Sequence, residues 1–589
     1  MNPTILDRIK TRFGFFCLIG LLLTANRAYG QLSSLPVTRT ISSGQLHVSS
    51  SNTGANPFEG ININSFVGAE RFYDAGFDGT GAIVGNIEAG HVDSNHDVLG
   101  HVTTKVTGTG AAGTLDDHAT WVTHSMSGKI AADAYDASNY YGFGIGKGAE
   151  TWSGAIATSF GSGGSFSVSN ASTASVYSTM LKTGVNGQTV DIFNSSWGYS
   201  SPSGFNVFAI GVDGFLNDTG KIGVASAGNS GSGSNTVGGI GAGYNSITVG
   251  SLGSDTAALP YDAVSGFSSR SPNDFRDLDP DQTVSSVRAA VDIVAPGQNL
   301  TLAANGTSSS YNTNLQGTSF SAPIVAGGAS LIVGAGKNLY AGNSKAIDGR
   351  VVKAVLLNGA TKITGWDNGQ AINAGVIETT QSLDWASGAG GMNLDASFDQ
   401  YVNKAAGGQA GTTDVAGLFT GDQGNVDVVG WDFGFVGNDT GVDDSNLYFI
   451  DQQLLGGTDF TVTLTWFADM ISGADADFSN AGANHLANLD LTVFEFDTLA
   501  DRNIIGTTAQ SFSLYNVVEH LHFQTTGTGF YGISVDYSFA QYDFDTPETG
   551  EFYGLSWSGV AAVPEPGSLL AIGFLGAVVA CRRRRRAAA

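Results

Sequence analysis

The sequence predicts an α/β domain built on a parallel sheet, followed by an all-β domain of sandwich or jelly-roll type. Two observations carry this. From about residue 61 to 401, short apolar strands alternate with helical stretches, and the strands end in glycine-rich loops. Such alternation places a parallel sheet between helical layers, with the functional site at the strands' carboxyl ends. After about residue 410 the period changes. Phe460, Val462, Leu464 and Trp466 alternate with Thr461, Thr463 and Thr465; Tyr531, Ile533, Val535 and Tyr537 follow the same rule, as do Tyr553, Leu555 and Trp557. Period two between Gly, Asp and Asn turns marks half-buried antiparallel strands.

At 589 residues the chain exceeds one compact core, and domains are expected over 61–405 and 410–560. Residues 1–30 combine Arg8, Lys10 and Arg12, an apolar run from Phe13 to Leu23, and a small-x-small exit at Ala28-Tyr29-Gly30. This is the layout of a secretory signal peptide cleaved near Gln31; the apolar run is too short to span a bilayer. Residues 31–60, rich in Ser, Asn, Gly and Thr, read as a flexible lead-in. Residues 561–589 hold Val563-Pro564-Glu565-Pro566-Gly567, an apolar run from Ser568 to Cys581, and Arg582 to Arg586. A positive cluster after an apolar helix holds that end on the cytoplasmic side. The three parts in this order resemble the PEP-CTERM sorting signal. The resemblance implies an exosortase-type sorting enzyme as partner, transient membrane anchoring, and display at or release from a bacterial cell envelope.

Charge narrows the function further. The net charge is −26, and the two ends carry Arg8, Lys10, Arg12, Arg27 and Arg582 to Arg586 against Asp7 and Glu565. Without them 17 basic residues face 50 acidic ones, a net of about −33. Such a surface repels phosphate backbones, so nucleic acid is not an expected partner. Cys17 and Cys581 are the two cysteines and both lie in the ends, which leaves the body without a disulfide framework, a thiolate nucleophile or a cysteine metal site.

Along the α/β part, Gly81-Ala82-Ile83-Val84-Gly85-Asn86-Ile87 reads as a strand and Ala119 to Ala132 as a helix; Val190 to Asn194 and Ile222 to Ala227 read as further strands. The stretch Gln316-Gly317-Thr318-Ser319-Phe320-Ser321-Ala322-Pro323 then runs into an apolar helix. A hydroxyl at a helix N-terminus sits among unpaired N–H groups and the positive dipole end, which favour a developing oxyanion. Gly317 permits close approach of a carbonyl, and Pro323 is placed in the first turn, where a missing N–H is harmless. An ordinary N-cap serine has the same local pattern.

A serine nucleophile needs a base and an acid behind it. Asp116-Asp117-His118-Ala119-Thr120-Trp121-Val122-Thr123-His124 offers His118, with His124 as a competitor. Asn86-Ile87-Glu88-Ala89-Gly90 offers Glu88 at a strand end, with Asp93 as its rival. Ala225-Ser226-Ala227-Gly228-Asn229-Ser230-Gly231 offers Asn229, whose side chain is suited to an oxyanion.

These segments resemble, in order, the acid, histidine, asparagine and serine motifs of the subtilisin-like serine proteases (subtilases), over roughly Phe72 to Ala396. The resemblance implies a subtilisin-like fold and a secreted endopeptidase acting on polypeptide substrates. It assigns Ser319 as nucleophile, His118 as base, Glu88 in the place of the family's Asp, and Asn229 as oxyanion donor. The family's histidine motif is His-Gly-Thr-His-Val-Ala-Gly; here Ala119 and Trp121 take its second and fourth places. Ser196, Trp197 and Gly198, within Asn194-Ser195-Ser196-Trp197-Gly198-Tyr199, resemble the segment that pairs with a substrate strand and walls the specificity pocket; Trp197 equally suits a core. No cofactor is required. A structural Ca²⁺ is left unassigned: Val98 falls where the family often has a ligating Asp, while Asp490 and Glu519 of the second domain are alternative ligands. Two further readings remain: a catalytically impaired, surface-displayed binding or structural protein on the same scaffold, and an acid-active relative with a Glu/Asp/Ser site.

Overall fold

The computed structural model describes residues 61–560 apart from 131–134, 136–139, 254–260, 280, 403–422, 438–444 and 545–549. The signal peptide, the lead-in and the sorting segment lie outside the described residues.

The parallel strands of the first sheet are β1 (Ile83–Glu88), β2 (Thr104–Thr107), β3 (Glu150–Ala155), β4 (Ile192–Ser195), β5 (Ile222–Ser226), β6 (Ile247–Gly253) and β7 (Ile293–Pro296), and a short antiparallel strand at Ala263–Val264 pairs with the end of β6. The seven pair in the order β7-β6-β5-β4-β1-β3-β2. Strands β1 and β4 to β7 are buried along their whole lengths. A parallel sheet covered on both faces has no solvent side, hence short apolar runs in place of alternation.

The helices that frame the site are α1 (Asp117–Ser127), α2 (Val207–Thr219), α3 (Thr318–Leu339) and α4 (Gly349–Asn358). Each of α1, α2 and α4 starts where an Asp or Asn side chain takes the first free N–H groups: Asp116 from Ala119, Asn206 from Phe208 and Ala209, Asp348 from Arg350. Helix α1 stops at Ser127 because Gly128 turns to φ −50, ψ 142, short of the expected Ala132. Helix α3 is long and apolar enough to cross a membrane, yet 94% of its most apolar window is buried inside the protein. It is the central core helix. Pro323 corrects the sequence reading: it is the sixth residue of α3, beyond the first turn. Its missing N–H therefore costs the Ser319 carbonyl its usual helical bond.

The later part is strand-rich. Its main elements are β8 (Ala371–Asn373), β9 (Val376–Thr379), β10 (Gln423–Val426), β11 (Val429–Gly437), β12 (Ser445–Ile450), β13 (Asp459–Trp466), β14 (Gly482–Phe496), β15 (Ile504–Ser511), β16 (Val518–Gln524), β17 (Phe530–Asp543) and β18 (Gly550–Val560), with a short strand at Asp469–Ile471 beside β14. One sheet runs β8-β9-β15-β14-β17-β12-β10 and another β11-β18-β13-β16. Side chains join the two: the Tyr448 hydroxyl donates to Asp432 at 2.9 Å and lies 2.6 Å from the Tyr553 hydroxyl. Trp431, Trp466 and Trp557 are fully buried. Pairing is not purely antiparallel, since β9 lies parallel to β15 and β10 to β12. The β8–β9 hairpin comes from within 61–405 and still extends the later sheet, with Ile377 beside Ala509. Further links across the two parts run from Thr465 to the Arg350 carbonyl at 2.7 Å and from the Ala468 N–H to Asn245 at 2.8 Å.

Glu519 is fully buried in β16. One carboxylate oxygen accepts from the Ser513 N–H and hydroxyl, at 2.8 and 2.7 Å, and the other from the Ser511 hydroxyl. Burial outweighs these donors and pushes its pKa up to about 8. A carboxyl raised in the folded state contributes most below its unfolded pKa of about 4.3, and stability is lost as pH rises from there toward 8. Glu519→Gln is therefore expected to raise Tm at pH 8 by about 2–4 °C per kcal/mol relieved. Thermal unfolding across pH checks this, with the difference fading toward pH 4.

Candidate active site

Glu88 closes β1 and is 1% exposed. Its Oε2 lies 3.0 Å from His118 Nδ1, and its Oε1 accepts the Ser196 N–H at 2.8 Å. The extra methylene relative to Asp is thus taken up by a carboxylate held at both oxygens. His118 stands in the first turn of α1 with its side chain 34% exposed. Burial pulls the His118 pKa down, but the charge and hydrogen bond of Glu88, with the charge of Asp116 added, raise it overall. With Nδ1–H directed at Glu88, Nε2 is left as the accepting nitrogen.

Ser319 is the second residue of α3 and has Gly317 as N-cap, at φ 152, ψ 152. That φ suits glycine alone, and a Cβ there would lie 3.5 Å from Asn229 Nδ2 and 3.7 Å from the Ser319 nitrogen. The Asn229 amide nitrogen and the Ser319 backbone nitrogen thus lie on the same side of Gly317. The Asn229 amide is fixed by Thr318, whose N–H and hydroxyl both donate to Oδ1, at 2.9 and 3.0 Å. This turns Nδ2 toward the opening. The Ser319 hydroxyl donates to the Ser196 carbonyl at 3.2 Å, one rotation about Cα–Cβ from other directions.

Beside Ser319 opens a cavity of about 380 Å³ lined by Ser196, Gly198, Tyr199, Asn229, Val237 and Thr318 among others, with no charged side chain. Trp197 does not line it; its ring is 6% exposed and packs edge-on to Phe166 and Phe208. A larger cavity of about 580 Å³ borders His124 and Leu302, and none of Glu88, His118 and Ser319 lines it.

The competing residues have other partners. Asp93 is 2% exposed; it accepts from the Asn95 N–H and side chain, both at 3.0 Å, and from the Gly306 N–H at 2.8 Å. His124 is 1% exposed, its Nδ1 accepts the Ala303 N–H at 2.8 Å, and burial pulls its pKa down to about 3. Val98 is fully buried among apolar neighbours and brings no side-chain oxygen to the place of the family's calcium ligand. Asp490 takes bonds from Asn488 and Ser538, as Glu519 does from its serines. Among the described residues no group of three or more His, Cys, Asp or Glu could hold a metal ion.

Three contributors went unread in the sequence. Thr318 orients Asn229, Asp116 adds charge near His118, and the Phe320 ring lies 6.1 Å from the imidazole. Thr318 and Phe320 flank the candidate nucleophile, the one signal that could have found them.

A serine, an imidazole and a buried carboxylate thus lie at the carboxyl edge of the parallel sheet, His118 against Glu88 at the end of β1 and Ser319 against Ser196 past the end of β4. The subtilase family model matches residues 79–380, and the chain belongs to that family of serine peptidases. The model of the PEP-CTERM protein-sorting motif matches residues 562–586, the segment of an exported protein held at the cell envelope.

Proposed function

We propose that the protein is a secreted serine endopeptidase whose triad is Ser319, His118 and Glu88. The observation that carries this is the 3.0 Å contact between His118 Nδ1 and the buried Glu88 carboxylate. Ser319 Oγ attacks the scissile carbonyl carbon while its proton passes to His118 Nε2. Asn229 Nδ2–H and the Ser319 N–H hold the oxyanion. Collapse breaks the C–N bond, and His118 gives its proton to the leaving amine. Water then attacks the acyl ester as His118 takes its proton; the C–Oγ bond breaks, the acid product leaves, and His118 returns the proton to Ser319 Oγ. Glu88 keeps the imidazole in one tautomer and stabilises its cation. Ser196 and Gly198 edge the groove that pairs with an extended peptide, and the uncharged cavity beyond them receives a substrate side chain. The chemistry requires no cofactor, and no step passes through calcium.

The domain over 410–560, of jelly-roll type, stabilises the peptidase or binds substrate and surface. The C-terminal segment is recognised by an exosortase-type enzyme. Fluorophosphonate labelling of the folded full chain, mapped to Ser319 by mass spectrometry, tests the reading; a folded protein that takes no label overturns it. Asn229→Ala is expected to lower kcat by about 10²–10³-fold with KM nearly unchanged, since the donor acts on the oxyanion. Steady-state kinetics on a peptide substrate check this.

A further inference from the structure

Asn86 is 1% exposed in the middle of the sheet, where an amide is costly unless its polar atoms are paired. Here they are. Its Nδ2 donates to the Thr123 hydroxyl at 2.7 Å and to the Ala119 carbonyl at 3.2 Å, both on α1. Its Oδ1 accepts from Asn194 Nδ2 at 3.2 Å, and that nitrogen also donates to Ser196 Oγ at 3.0 Å. Thr123 and Asn194 are fully buried and Ser196 is 3% exposed. One amide therefore ties together α1, which carries His118, β1, which carries Glu88, and the end of β4, where the Ser196 N–H meets the carboxylate.

Position matters as much as partners. Asn86 and Glu88 are two residues apart on one strand, so their side chains leave on the same face. Asn86 grips α1 at Ala119 and Thr123, and Glu88 reaches His118 in the turn beside them. A glutamate extends farther from its strand than an aspartate would, so the helix must stand at a matching distance. We propose that Asn86 is a positioning residue that sets the spacing between β1 and α1 at which the long Glu88 side chain meets His118. This rests on the triad reading given above.

The test uses the full chain with kcat, KM and the pH profile of kcat/KM as readouts. Asn86→Val is expected to lower kcat by about 10–100-fold with KM within about twofold, as a misplaced support does. It is also expected to move the acid limb of the profile to lower pH, a change that a loss of folded protein alone does not produce. Thr123→Val should show the same two effects on a smaller scale, and Thr123→Ser, which keeps the hydroxyl, should restore both. In a Glu88→Asp background Asn86→Val should cost less than about threefold, because the shorter acid no longer matches the set distance. Wild-type kcat and acid limb in Asn86→Val, or equal losses in both backgrounds, overturn the proposal. If Asn86→Val does not fold, the Thr123 pair decides in the same way. If Ser319→Ala also keeps full activity, the triad reading has failed; if activity depends on Ser319, the spacing role alone has.

Discussion

Ser319→Ala is expected to lower kcat on a peptide substrate by on the order of 10⁶-fold, as loss of a nucleophile in a triad does. The residual rate is expected to stay roughly 10³–10⁴-fold above that in water, because the Asn229 side chain and the backbone N–H at position 319 still hold an oxyanion. Stability should be nearly untouched. Ser319 is partly exposed, and among the described residues its hydroxyl donates to the Ser196 carbonyl. A purified variant with unchanged Tm and no measurable casein hydrolysis meets this expectation. Undiminished hydrolysis by Ser319→Ala would remove the serine from the mechanism.

Glu88→Gln is the second large effect, expected at about 10⁴-fold in kcat. The amide can donate to Nδ1 and so favour the tautomer with its proton on Nε2, which cannot accept from Ser319. The pH profile separates this from unfolding. His118 must be neutral to act as base, so the rate rises as pH passes upward through its pKa. Burial pulls that pKa down and Glu88 raises it overall. Removing the carboxylate charge moves the acid limb to lower pH, while the plateau falls. Glu88→Asp keeps the charge and shortens the reach, and should lie between the two in kcat. An Asp93→Asn variant that lost as much as Glu88→Gln would instead point to the rival acid.

The serine, histidine and asparagine segments were legible because their chemistry is local. A glycine before a serine at a helix start, and an asparagine after a glycine at a strand end, carry their meaning within a few residues. The choice of acid was not local. Glu88 ends β1 and Asp93 lies in the turn just after it, and nothing near them states that Gly306, more than 200 residues later, occupies one Asp93 oxygen. His124 was decided by burial in the same way, against the Ala303 N–H. Asn86 looked like one polar residue in a short strand, since its role exists only where two strands and a helix meet. The period-two runs announced the later strands but not their partners. Parallel pairing of β9 with β15 joins residues about 130 apart, and no repeat in either segment records it.

The β8–β9 hairpin has a consequence for how the chain tolerates a cut in its backbone. A single cut within 403–422 severs the covalent link between the two parts, but residues 371–379 remain stitched into the distal sheet through β15. The nicked halves should co-purify and separate only in denaturant, so the two parts hold together by strand pairing as well as by the chain that joins them.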